Sequence, residues 1–233
     1  MRPFEPHLIP DFMLDILPYL SVTLGVTLAT VIFGCVLGGV IAYLKLYGNK
    51  LQRLLANAYT YSMRCTPSKI LLFIVFYGLP KFLIEMFDYD INDFNRAFFV
   101  IITFTLLFAA NISEIMRAAY IAVDRGQYEA AVSVGMSSWQ AHYRIVFPQA
   151  AVIALPNFGN SLLNLLKEGS LAYTVGLVDL LGAGELIVAR AYGASALEVY
   201  IAVGLIYYGI AIALEKICLH LEERFSPQKI VKV

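Results

Sequence analysis

Six ionisable side chains stand beside or inside long apolar runs of this 233-residue sequence: Arg64, Lys69, Glu114, Arg117, Lys167 and Glu168. Charges in such surroundings are costly, and they persist where they find a partner or line a wet cavity. Glu114 and Arg117 are three apart and share one helical face, so they can pair. Arg64 and Lys69 are five apart and point to different faces of a straight helix, with Pro67 loosening the backbone between them. Two readings stay open. In one, Arg64 and Lys69 extend toward a membrane interface and Glu114–Arg117 is a structural pair. In the other, Arg64, Glu114, Lys167 and Glu168 line a path for a solute that carries both charges. Its carboxylate needs a cation and its ammonium an anion.

Other chemistries lack their residues. No GxxxxGK[ST] run exists to cradle nucleotide phosphates, and neither HExxH nor GxSxG occurs. His7, His142 and His220 are scattered and fit interfacial positions better than catalysis. Cys35, Cys65 and Cys218 form no CxxC pair and read as small buried hydrophobes, so neither a metal site nor a disulfide framework is indicated. With 17 basic and 17 acidic residues, no excess charge draws nucleic acid. No catalytic group and no cofactor of the chain's own is expected.

The elements that must position these residues are membrane spans. Sixty per cent of the chain is hydrophobic and 15% charged, where a soluble domain carries about a quarter charged residues. Backbone in lipid must satisfy itself, so apolar runs of about 20 residues read as helices. Five are expected, at 19–44, 58–87 (interrupted by Arg64, Pro67 and Lys69), 97–112, 149–166 and 196–214. The opening Met1-Arg2-Pro3-Phe4-Glu5-Pro6 lacks a signal-peptide pattern, so the first apolar segment is expected to be retained. Gly34, Gly38 and Ala42 form a small-residue stripe on the first span, suited to close helix packing within the chain or against another subunit.

Lys and Arg set the orientation. Ten lie in three regions on one side: Lys45, Lys50 and Arg53; Arg117, Arg125 and Arg144; Lys216, Arg224, Lys229 and Lys232. The other side holds five: Arg2, Lys81, Arg96, Lys167 and Arg190. The N-terminus is therefore expected outside and the C-terminus in the cytoplasm.

About 30 residues separate the third and fourth spans, too many for a simple connection. Asp124-Arg125-Gly126-Gln127 fits a capping box, helix follows over 128–134, and Gly135 stands where a left-handed residue ends it. Ser137-Ser138-Trp139-Gln140 repeats the box, and Pro148 marks a turn into the next span.

Glu129-Ala130-Ala131, Gly135, Ile145 and Pro148, at that spacing, resemble the EAA loop of ABC importer permeases. Arg64-Cys65-Thr66-Pro67, Phe76-Tyr77-Gly78-Leu79-Pro80, Ser113-Glu114-Ile115-Met116-Arg117 and Leu166-Lys167-Glu168-Gly169-Ser170-Leu171 are similar to landmarks of the polar-amino-acid uptake permeases. Cys65 and Gly169 depart from the usual residues, Lys69 falls where an uncharged residue is common, and Ala118-Ala119 replaces two frequent glycines. The stretch 180–187, with Ala196-Leu197-Glu198-Val199-Tyr200, resembles cystine-type members.

The resemblance implies an all-α integral membrane fold of type I ABC importer kind, in one permease domain over 1–233 with its core at 19–225. It implies that loop 124–148 is a coupling helix docking on a cytoplasmic ATPase, which holds ATP and magnesium. It further implies a second permease subunit, identical or paralogous, and an external amino-acid-binding protein. By the same resemblance, positions matching Glu114, Lys167 and Glu168 look like pocket residues in some relatives. The rival reading is a stand-alone channel or ion-coupled carrier; five spans without evident halves argue against it.

Overall fold

Residues 4–225 are described by a computed structural model. Met1–Pro3 and the tail lysines Lys229 and Lys232, invoked for orientation, lie outside the described residues. Among those described, all regular structure is helical.

A short helix α1 (Ile9–Ile16) leads through a tight turn into α2 (Leu20–Tyr47), and together they form the apolar stretch Pro6–Tyr47. Ile16 is fully buried against Leu180, Val199 and Ala202, so packing begins ahead of the first expected span. Helix α2 runs past its apolar window: Lys45 belongs to its last turn, not to a loop as expected.

The second expected span, 58–87, is a broken element. Helix α3 (Lys50–Cys65) starts at a capping box formed by Asn49 and Gln52. It ends where Thr66, the residue before Pro67, is driven to extended backbone (φ −91°, ψ 126°). The apolar helix Ser68–Phe87 then follows as α4 (Ser68–Phe73), a π turn at Ile74–Gly78, and α5 (Leu79–Phe87). Arg64 thus closes one helix and Lys69 opens the next.

Helix α6 (Arg96–Ala122) continues ten residues beyond the expected apolar end at Ile112, carrying Glu114 and Arg117 on its lower turns. It runs parallel to α2. A Cβ on Gly34 would lie 2.6 Å from Phe108, and one on Gly38 3.0 Å from the Ala109 carbonyl. Of the two uses open to the small-residue stripe, packing within the chain is the one seen here. Around this seam Leu72, Phe99, Val100, Phe104, Phe108 and Ile112 make the main core.

After the loop helices α7 (Arg125–Ser133) and α8 (Ser138–Ala141), a π turn at His142–Val146 leads into α9 (Phe147–Gly169). The expected turn at Pro148 is absent, and the helix passes straight through it. Both π turns end two positions before a proline, Pro80 and Pro148. The missing N–H and the ring's clash with the preceding turn are absorbed by widening the helix rather than breaking it.

A two-turn 3₁₀ segment, Ser170–Val175, and a bend of 46° lead to α10 (Leu180–Arg190), which was not among the expected elements. Buried Asp179 caps it, accepting from Gly182 N–H at 2.9 Å and from the Tyr207 hydroxyl at 3.2 Å. Helix α11 (Ala196–Phe225) closes the bundle. Among the described residues, four helices are long and apolar enough to cross a membrane, five if the bent pair α9–α10 is taken as one span.

Candidate functional site

The loop between α6 and α9 is a built object. Asp124 caps α7 by accepting from Gly126 N–H at 2.7 Å. Gln127 is not its box partner, since the Gln127 N–H bonds the Asp124 carbonyl. At the other end Gly135 takes φ +89°; its N–H bonds the Val132 carbonyl and the Met136 N–H bonds the Ala131 carbonyl. This doubly bonded stop is available at low cost only to glycine there. The Ser137–Gln140 box forms in full and starts α8. Two capped helices and a fixed turn give a stiff unit.

One face of that unit is rooted in the bundle. Ala131 is buried, and Val146 packs with Ala119, Val123 and Ala150. The opposite face is bare: Glu129, Ala130 and Gly135 are exposed. Trp139, 70% exposed, stacks on exposed Tyr143 with Val132 and Val134 also uncovered. Exposed aromatic and aliphatic groups beside a carboxylate suit a protein partner better than water. Ile145 is half-buried in the π turn and Pro148 is exposed just after it.

A charged centre lies where the end of α2 meets α3 and α6. The Lys45 side chain is 1% exposed, and its ammonium donates to Thr60 Oγ1 at 2.5 Å, Ser113 Oγ at 3.5 Å and Glu114 Oε1 at 2.5 Å. Arg117 takes the other Glu114 oxygen through Nε at 3.1 Å and Nη2 at 2.7 Å. Thr60 and Ser113 donate onward to the Ala56 and Ala110 carbonyls. All three ammonium donors are used, which is what burying a lysine requires. Helices α2, α3 and α6 meet here.

A second polar region joins the break after α3 to the end of α9. Ser68 donates to Glu168 Oε2 at 3.1 Å. Arg64, one turn earlier, and Lys167 are both exposed, while Lys69 sits over the Phe73 ring at 5.8 Å. Between α2, α6 and α9 runs an apolar groove of about 560 Å³, floored by Gly39, Ala42, Met116 and Phe158.

A stiff loop rooted on one side and bare on the other, joined to a bundle of long apolar helices, coincides with what comparison with known proteins returns. Residues 31–226 match the family described as the inner membrane component of binding-protein-dependent transport systems. The chain belongs to that family. The L-cystine transport system permease protein TcyL of Bacillus subtilis is 39% identical over 214 residues, spanning 92% of this chain and 88% of TcyL. A probable amino-acid ABC transporter permease of Vibrio harveyi, PatM, is 34% identical and covers 93% and 96% respectively. A solved amino acid ABC transporter with histidines superposes with a TM-score of 0.80 at 28% identity, covering 94% of this chain and 98% of that one. The methionine transporter MetNI shares the fold, with a TM-score of 0.67 at 15% identity.

Within this family framework the candidate path residues fall into two groups. Glu114 is engaged by Lys45 and Arg117, whereas Glu168 meets Ser68 at the α3–α4 break with Arg64 close in sequence. The sequence reading missed Lys45 as the partner of Glu114. The trace was there, since buried positions Gly34, Gly38 and Ala42 extend at helical spacing to Lys45. It also missed the ring cluster that gathers His142, Tyr47 and Tyr120, because those residues are far apart along the chain.

Proposed function

We propose that this chain is the membrane-spanning permease of an ATP-driven importer for polar amino acids. The stiff, one-face-bare loop with Glu129, Ala130, Ala131, Gly135, Ile145 and Pro148 in fixed positions carries the reading. That unit docks in a groove of a cytoplasmic ATPase, which supplies ATP and magnesium chemistry that this chain does not perform. The loop then faces the cytoplasm with the C-terminus, and the N-terminus lies outside, in keeping with the distribution of Lys and Arg. A second permease subunit completes the wall, and an external binding protein delivers the solute.

Arg64, Lys167 and Glu168 contribute charge to the path, with the zwitterion's carboxylate toward a cation and its ammonium toward Glu168. Glu114 stands at the other end of the path, held between two cations. Cystine is the narrower substrate proposed. The resemblance of 180–187 to cystine-type members and the 39% identity with TcyL support it.

Uptake of labelled cystine, glutamine and histidine into vesicles holding the chain, its ATPase and its binding protein tests the reading. Uptake that needs ATP and prefers cystine supports it. Uptake that survives ATP removal and follows a proton gradient favours the ion-coupled carrier instead.

A further inference from the structure

His142 occupies a position that no part of the proposed function uses. It opens the π turn between α8 and α9, and four aromatic rings surround it. Tyr120, near the end of α6, stacks parallel to it with centroids 6.1 Å apart. Tyr128 of α7 approaches to 4.9 Å, and Tyr47 at the end of α2 and Phe147 of α9 complete the cage. His142 Nδ1 faces the Ser138 carbonyl at 2.7 Å, and a carbonyl only accepts, so Nδ1 carries a proton. In the neutral ring, Nε2 is then an acceptor, and the Tyr120 hydroxyl meets it at 2.8 Å. The Tyr47 hydroxyl bonds that of Tyr120, which makes a continuous chain from Ser138 through His142 and Tyr120 to Tyr47. Tyr128 is tied to the same helix by its hydroxyl, 3.2 Å from Ser138 Oγ.

These bonds connect the loop unit to α2 and α6 beside the apolar packing of Val146 on Ala119 and Val123. Ser138 and Tyr128 belong to the stiff loop unit; Tyr120 and Tyr47 belong to α6 and α2. Those two spans are the ones joined higher up by the Lys45–Glu114 pair. A displacement of the loop is transmitted to a span only if a contact resists it, and a directional bond resists where rings alone slide.

We propose that His142 is a positioning residue that locks the loop to α2 and α6, so that loop motion becomes span motion. The inference rests on the reading that the loop docks on an ATPase. It adds which side chains carry the stroke.

The variants Tyr120→Phe, His142→Ala, His142→Gln and the Tyr120→Phe/His142→Ala double test it. Each is assembled with its ATPase and binding protein in vesicles. The amino acid taken up best by the wild type, from cystine, glutamine and histidine, is the probe for all. Tyr120→Phe keeps the ring and removes only the hydroxyl. Losing a bond of this kind corresponds to about a fivefold fall in uptake per ATP hydrolysed. ATPase capture and basal hydrolysis stay unchanged, and the double variant is no worse than His142→Ala. His142→Gln, whose amide oxygen can accept from Tyr120, recovers part of the loss.

Unchanged uptake per ATP in Tyr120→Phe and His142→Ala overturns the inference. Loss of ATPase capture in those variants also overturns it, since the bond would then serve only to fold the loop. If the wild-type chain itself captures no ATPase, the docking reading fails, and the latch falls with it.

Discussion

Replacing Glu114 by Gln is the sharpest test of the charged centre, because the three side chains differ so much in exposure. Lys45 is 1% exposed, Glu114 27% and Arg117 36%. Removing the carboxylate charge leaves the Lys45 ammonium buried between α2, α3 and α6, facing two hydroxyls and a neutral amide with no counter-charge. Breaking a buried pair by deleting one charge costs about 3–5 kcal/mol, and the partial exposure of Glu114 favours the lower end, about 3 kcal/mol. Lys45→Met is milder: Glu114 keeps its two bonds to Arg117, and Met fills much of the vacated space. About 1 kcal/mol is expected there. In the Lys45→Met/Glu114→Gln double variant the stranded charge no longer exists, so stability returns close to that of Lys45→Met. Equilibrium unfolding in mixed micelles, read as a double-mutant cycle, should give a coupling of about 3 kcal/mol. Glu114→Gln as stable as wild type, or a double variant worse than both singles, would refute the reasoning.

Three further outcomes follow from the geometry. Gly38→Leu should wedge α2 from α6 and cost about 1–3 kcal/mol in the same unfolding assay, whereas Gly25→Ala, which meets nothing within 4 Å, should be silent. Gly135→Ala forces a side chain into φ +89° at a cost of about 1–3 kcal/mol, so it should loosen the loop and weaken ATPase capture in a pull-down while bundle stability holds. Glu168→Gln and Lys167→Met should raise the substrate concentration for half-maximal uptake with the ATPase still bound, and Ser68→Ala, which removes the hydroxyl on Glu168, should do so more weakly; uptake with unaltered affinity in all three would remove them from the path.

Local chemistry was the most legible part of the sequence. The Ser137–Gln140 box and the Gly135 stop depend on residues within six positions of one another, and both formed as read. The same reasoning applied to Asn49 and Gln52 would have revealed α3, which its mixed polar surface hid inside a span. Prolines were harder, because their effect depends on what the helix can do around them. Pro67 broke one helix, while Pro80 and Pro148 were absorbed by π turns and Pro156 sits inside α9. Contacts across many residues were not legible. Lys45 meets Glu114 across 69 positions and Tyr47 meets His142 across 95; helical spacing put Lys45 on the buried face of α2 but named neither partner. The short α10 escaped notice because its 11 residues fall well below the length of a span.

Crosslinking from Glu129→Cys, with Cys35, Cys65 and Cys218 replaced, addresses the role of the loop most directly. In membranes holding the cognate ATPase, a short bifunctional reagent should join the two chains, and the yield should change when nucleotide is added. No capture of an ATPase, or labelling of that cysteine by an impermeant reagent from outside intact cells, would contradict the account.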